Sequence, residues 1–223
     1  MAGFKLDCVL FDLDGTLVDT APDLIACLNK TLVAHGFPEA VAETVRPFIS
    51  HGALSMIKHS VAVDEPLALR MLEFMLDAYQ NNIAEHSRFF GGITESLAAI
   101  EQLGLKWGVV TNKNARFTDP LMAAMQLNER AACVVSGDTT ANSKPHPEPM
   151  LEACRRAGVE PRNCVYIGDA VHDITAGKSA NMKTLAALYG YLNSDDRPDT
   201  WGADALIEHP QQLLQWIHAH TCH

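Results

Sequence analysis

The sequence predicts an α/β fold, a doubly wound parallel sheet with a Rossmann-like core and an all-helical cap inserted after the first strand. Three observations carry this reading. Short, near-continuously apolar runs rich in β-branched residues alternate with amphipathic stretches, the pattern of strands buried on both faces between helices. Residues 22–86 break that alternation and show helical periodicity alone. Acidic and small polar residues stand at the ends of the runs, where a doubly wound sheet binds its ligands.

The elements follow in chain order. The first strand is predicted over residues 6–11 (LDCVLF). After it, Leu24, Leu28 and Leu32, then Leu72, Met75, Tyr79 and Ile83, recur at helical spacing, and Pro38, Pro47 and Pro66 divide the stretch into several helices. The expected boundaries are 1–18 and 89–223 for the catalytic core and 19–88 for the cap. An insert that leaves the sheet at a strand's carboxyl end is placed to cover the binding crevice as a lid. Beyond it, residues 93–103 form a helix with Leu97, Ile100 and Leu103 on one face, and a second helix spans 148–157. Strands are expected at 106–110, 133–136, 164–167 and 183–188, with a shorter one at 205–207.

The bulk properties exclude several classes. With 48% hydrophobic and 20% charged residues and a mean hydropathy of −0.01, the chain is neither disordered nor fibrous. A net charge of −10 with no basic block argues against nucleic acid or an anionic membrane as partner. The first residues show no signal peptide, and no apolar run approaches a membrane span. The six cysteines (Cys8, Cys27, Cys133, Cys154, Cys164, Cys222) lack paired or zinc-type spacing, so reduced, mostly buried thiols in a cytoplasmic protein are expected.

The strand ends carry the chemistry. Asp12 and Asp14 leave the first strand two residues apart, so their side chains face the same side of an extended chain. Gly15 permits a sharp turn, and Thr16 can bond back to it. Two close carboxylates repel unless a cation sits between them or one is protonated. The first solution suits a nucleophile that also holds a hard cation, the second a proton donor. "VVTNK" ends the next strand with Thr111 and Asn112, a hydroxyl and backbone N–H groups. "SKPHPEP" sets Lys144 in a proline-stiffened loop, and "VYIGDAVHD" ends another strand with Gly168, Asp169 and Asp173. Four acids converging with one hydroxyl and one lysine are the inventory for Mg2+ and a phosphate ester.

These motifs, D-x-D-G-T at 12–16, Thr111 after an apolar strand, Lys144 in K-P-x-P and G-D-x-x-x-D at 168–173, resemble in kind and order those of the haloacid dehalogenase-like phosphatases. The resemblance spans nearly the whole chain and implies a mechanism. Asp12 would attack phosphorus and form an aspartyl-phosphate, and Asp14 would protonate the leaving alkoxide and then activate water. Mg2+ would be held by Asp12, the backbone carbonyl of Asp14 and Asp169, with Asp173 behind them. Thr111, Asn112 and Lys144 would hold the phosphoryl oxygens. Two departures stand out: Ala170 replaces the usual polar or acidic residue, and "FFGG" lacks the proline common before the cap's return.

Within such a family the cap selects the substrate. "VRPFISHGA" offers Arg46, His51 and Gly52, with Ser50 between them, on a turn that can reach the crevice, and it resembles the phosphoglycolate phosphatase-like group. The stretches "WGVVTNKNARF", with Arg116, and "YGYLNSDDRPDTWGADALIEHP" are closer to a branch acting on N-acetylmuramic acid 6-phosphate. The expected partner is thus a small-molecule phosphate ester, that amino sugar or 2-phosphoglycolate, and the sequence leaves the oligomeric state open, a monomer included. Plainer roles stand beside these: a surface arginine for Arg46, a helix cap for Asp173, turn histidines at His146 and His172, and a frayed tail for His218, His220 and His223. A sugar-phosphate mutase would share every core residue and differ in the cap. A phospho-accepting receiver is about half this length and lacks the insert. No G-x-G-x-x-G or P-loop motif supports a dinucleotide or nucleoside triphosphate site.

Overall fold

The computed structural model describes residues 4–221, so Cys222 and His223 lie outside the described residues. The first strand, β1 (Cys8–Phe11), is buried at every position, because it lies in the middle of a parallel sheet. The remaining sheet strands are β4 (Lys106–Val110), β5 (Cys133–Val135), β6 (Cys164–Gly168), β7 (Lys183–Ala187) and β8 (Ala205–Ile207); two short strands, β2 (Val18–Asp19) and β3 (Arg88–Phe89), lie outside it. Among the described residues these six strands run in the order β5-β4-β1-β6-β7-β8, each pair parallel. Cys8 pairs with Lys106 on one side and Cys164 on the other, which sets the carboxyl ends of β1, β4 and β6 level with one another.

Alternation along β1 divides the core between two faces. Val9 and Phe11 join Ile93, Leu97, Trp107, Leu213 and Ile217 on one face, under α5 (Ile93–Gln102), α6 (Ala115–Ala124) and α9 (Gln211–Thr221). Cys8 and Leu10 join Val110, Met150, Ala153 and Tyr166 on the other, under α7 (Glu148–Ala157) and α8 (Val171–Ser179). The five described cysteines are free and buried. The expected frayed tail is instead α9, because Leu213 and Ile217 give it an apolar face on the sheet. His220 stacks on Trp216 there, with ring centroids 4.0 Å apart. Among the described residues no helix is long and apolar enough to cross a membrane.

Between β1 and β4 the chain leaves the sheet. Strand β2 (Val18–Asp19) pairs antiparallel with β3 (Arg88–Phe89), so outgoing and returning chains run side by side. Helices α1 (Ala21–Ala34), α2 (Ala42–Val45), α3 (Ala53–Ser60) and α4 (Glu65–Gln80) lie between them, with a 3-10 turn over Arg46–His51. Leu24, Leu28, Leu32, Met71, Met75 and Tyr79, spaced for helical faces, form this unit's own core. Asp64 starts α4 by accepting from the Leu67 N–H at 2.9 Å. Asp23, buried in the first turn of α1, accepts from the His86 and Ser87 N–H groups at 2.8 and 2.9 Å and from the Ser87 hydroxyl at 2.5 Å. That carboxylate fastens the insert's exit to its entrance.

Candidate active site

One residue beyond β1, the Asp12 N–H still donates to Ile167 at 2.8 Å, so the sheet ladder itself fixes where this carboxylate stands. Gly15 then turns the chain at φ +85°, and a Cβ there would lie 2.3 Å from an oxygen of Asp169. Only glycine satisfies both the conformation and the close approach. Asp169, just past β6, is 1% exposed and accepts from the Tyr191 N–H at 2.7 Å and from the Ser50 hydroxyl at 3.0 Å. The cap turn therefore reaches a buried acid of the core.

Asp12, Asp169 and Asp173 each offer an oxygen within 4.8 Å of the others. Lys144, 3% exposed, binds Asp12 and Asp173 at 2.7 Å each and also donates to Tyr166 Oη at 2.8 Å and Val110 O at 3.0 Å. Burial pushes the Asp12 carboxyl up to about 7, against the pull of Lys144. Burial, with the neighbouring Asp12 and Asp173, raises Asp169 well above the usual carboxylate range. Burial also works against the Asp173 carboxylate, but Lys144 outweighs it and holds the group low. The cluster carries more negative charge than its one lysine can balance, the condition under which a hard divalent cation binds.

Asp173 serves two roles at once. One oxygen faces Lys144, and the other accepts from the Ala170 N–H at 3.0 Å, capping α8. Asp14 turns away from this cluster, accepting from Thr20 Oγ1 at 2.5 Å and from Lys113 Nζ at 3.0 and 3.3 Å. Thr111, 3% exposed, directly follows β4 and faces the same crevice. The Asn112 side chain bonds the Lys144 backbone twice, donating to its carbonyl and accepting from its N–H, both at 3.0 Å. Besides the backbone role expected of it, Asn112 thus positions the lysine.

A cavity of about 400 Å³ opens above these groups. Its floor is Asp12, Asp14, Thr111, Asn112, Lys113 and Lys144, and its cap side is largely apolar, with Leu24, Ile49, Leu54, Met56, Leu72 and Leu76. His51 and Gly52 line it, Gly52 at φ +90° where the turn enters α3. His172, read as a turn histidine, lines it too, and burial lowers its pKa against the pull of the nearby Asp173.

Arg46 and Arg116, expected to meet the substrate, are not on the lining. Arg46 is drawn to Asp19 at 2.9 Å and lies over the Tyr191 ring, 5.0 Å from its centroid. Arg116 is exposed and covers Phe117 from outside at 4.4 Å. An ion pair and an aromatic face hold Arg46 on the flank, and the Phe117 ring alone holds Arg116 there.

Three residues the sequence reading passed over belong to the site. Lys113 follows Asn112 directly, so its place beside the expected phosphate loop was the available signal. Tyr79 lies on a helical stripe that signals only core, yet its buried hydroxyl makes no well-formed hydrogen bond among the described residues and has the Lys113 ammonium as its charged neighbour. Tyr191 accepts through its hydroxyl from the Thr20 and Ala21 N–H groups at 2.8 and 2.9 Å and donates to Asp19 at 2.8 Å. It joins the loop after β7 to the start of the cap.

The family model of the haloacid dehalogenase-like hydrolases matches residues 9–187. An N-acetylmuramic acid 6-phosphate phosphatase of Pseudomonas aeruginosa is 42% identical, covering 100% of this chain and 99% of its own length. A phosphoglycolate phosphatase of Xanthomonas campestris is 39% identical over 93% of this chain and 94% of its own. Among solved structures, a predicted phosphoglycolate phosphatase from Haemophilus somnus superposes with a TM-score of 0.84 at 27% identity, covering 97% of this chain and 99% of that one.

Proposed function

This chain belongs to the haloacid dehalogenase-like hydrolases, and we propose that it hydrolyses N-acetylmuramic acid 6-phosphate through an aspartyl-phosphate on Asp12. The observation that carries the choice of substrate is the cavity. About 400 Å³ with an apolar cap side suits a sugar bearing an acetamido methyl and a lactyl ether. The two-carbon leaving group of 2-phosphoglycolate would leave most of that apolar wall uncovered.

The residues divide the reaction between them. The Asp12 carboxylate, aimed up from the end of β1, attacks phosphorus and displaces the sugar alkoxide. Lys144 bonds one oxygen of Asp12 and holds the other free to face the ester. Thr111, the Asn112 backbone and Lys144 hold the phosphoryl oxygens as charge moves onto them. Asp14, on the side toward Lys113 and the cap, gives its proton to the leaving alkoxide and later takes one from the water that opens the acyl phosphate. Asp12, Asp169 and the Asp14 carbonyl would hold Mg2+, with Asp173 anchored behind on Lys144. When bound, that ion supplies the positive charge that lets an anionic nucleophile approach a dianionic ester. The donor set fits: Asp12, Asp169 and Asp173 each offer an oxygen within 4.8 Å of the others, and burial together with their mutual repulsion raises Asp12 and Asp169, a cost that a divalent cation would relieve.

The test is phosphate release, with Mg2+, from N-acetylmuramic acid 6-phosphate and 2-phosphoglycolate side by side, with Asp12→Asn as the blank. A higher kcat/KM on the amino sugar and no release by the variant are expected. Preference for phosphoglycolate would overturn the substrate. Phosphate returned to a second sugar hydroxyl instead of water would make the enzyme a mutase.

A further inference from the structure

We propose that Tyr79 and Lys113 form the subsite that selects a carboxylate on the leaving group, an inference that rests on the phosphatase reading above. Tyr79 is 2% exposed, on the last turn of α4, and lines the cavity, yet its hydroxyl is without a hydrogen-bond partner among the described residues. A buried hydroxyl is rarely left so in a folded protein: an ordered water, an ion or a ligand completes it, and this one faces the cavity. Phe117 holds the ring from one side, centroids 5.5 Å apart, and the Lys113 ammonium lies 4.5 Å from the ring centroid.

Lys113 is a core residue just past Thr111, its side chain 9% exposed, and Asp14 occupies two of its three protons at 3.0 and 3.3 Å. The pair therefore places a neutral donor beside a cation, one from the cap and one from the core, under a largely apolar roof. Of the other polar groups on the cap side, Ser50 is bonded to Asp169, and His51, which lines the cavity, is exposed to solvent. Two adjacent donors, one of them charged, in a water-poor site match an acceptor with paired oxygens and a negative charge. The lactyl carboxylate of the amino sugar is such a group, and N-acetylglucosamine 6-phosphate is the same ester without it.

The experiment compares binding of these two esters, with Mg2+, to the Asp12→Asn protein by calorimetry, alone and combined with Tyr79→Phe or Lys113→Gln. The parent should bind the carboxylate ester at least ten-fold more tightly. Tyr79→Phe should compress that ratio about ten-fold, and Lys113→Gln about ten- to hundred-fold, the range for hydrogen bonds to a charged group. The melting temperature of Tyr79→Phe should hold or rise, because an unpaired buried hydroxyl has been removed. An unchanged ratio, equal weakening of both esters, no preference in the parent, or a lowered melting temperature in Tyr79→Phe would overturn the assignment. Failure of the phosphatase reading shows elsewhere, as no phosphate release from either ester by the unmodified enzyme, while the binding ratio still decides the subsite.

Discussion

Replacing Lys144 by methionine tests how the acidic cluster is held together. The ammonium has four acceptors, Asp12 and Asp173 at 2.7 Å, Tyr166 Oη at 2.8 Å and Val110 O at 3.0 Å. Val110 would keep a partner, because the Tyr166 hydroxyl also donates to it at 2.7 Å. The loss falls on the two carboxylates, both buried and left without their cation. Removing one partner from a buried ion pair costs about 3–5 kcal/mol, and at 223 residues each kcal/mol shifts melting by roughly 2–4 °C, so a fall of roughly 6–20 °C is expected at pH 7.5.

The deficit should carry a pH signature that a simple packing defect lacks. Lys144 holds Asp173 below its ordinary value of 3.8, so in the parent that pair's stabilisation is intact at both pH 7.5 and pH 5.0 and is lost only as pH falls below about 4; the narrowing expected at pH 5.0 comes from the variant. Without the lysine the carboxylates take up protons more readily, and the variant recovers in acid. The assay is thermal unfolding of both proteins in chelator at pH 5.0 and 7.5, with phosphate release measured in Mg2+. At pH 5.0 the gap should be at most half its value at pH 7.5, and kcat should fall by about 100-fold or more for a lost oxyanion donor. A gap equal at both pH values, or one below about 1 kcal/mol at pH 7.5, would refute the ion-pair account.

Other perturbations probe the same site. Gly190→Ala would place a Cβ 2.3 Å from Asp169 Cβ and 2.6 Å from Gly15 O, so it should cost about 1–3 kcal/mol and raise the Mg2+ concentration needed for activity, read by a metal titration. In chelator, Asp12 has its pKa raised to about 7 and Asp169 moves the same way, so the native state binds the extra protons and stability should fall as pH rises from about 4 to 7. The urea midpoint measures this, and added Mg2+ or Asp12→Asn should flatten the slope; a midpoint rising over that range would contradict it. Chelation should silence phosphate release, with Mg2+ restoring it and Ca2+ restoring little, because Ca2+ prefers looser coordination; full activity in chelator would remove Asp169 from any metal role.

The sheet was legible because its signal is local. Residues 106–110 and 205–207 match β4 and β8, and the other predicted strands differ from those observed by one or two residues at an end. Strands β2 and β3 are two residues each, too short to show a period. Helix α6 carries Pro120 in its interior, which sequence reasoning treats as a breaker. Asp12 and Asp14, the acids proposed for catalysis, were legible for the same local reason. A ladder bond from Asp12 to Ile167 fixes the first, and two residues of turn fix the second.

The cap was harder to read, and Arg46 and Tyr79 show why in opposite ways. Arg46 stands near a glycine turn and looks like an anion receptor, but its charge is claimed by Asp19, a residue of the strand through which the cap leaves the core. Tyr79 looks like one more apolar position on the Leu72–Met75 stripe, and its ring does pack in the cap's core. Its hydroxyl becomes informative only because α4 lays it beside Lys113, on a different element and beyond the return strand. On a helix each residue is turned about 100° from the last, so which side chain reaches the cavity depends on how two units dock rather than on any short motif. Catalytic chemistry that sits at strand ends is therefore written in contiguous residues, while selectivity that sits between cap and core is written in pairs that only the tertiary contact defines.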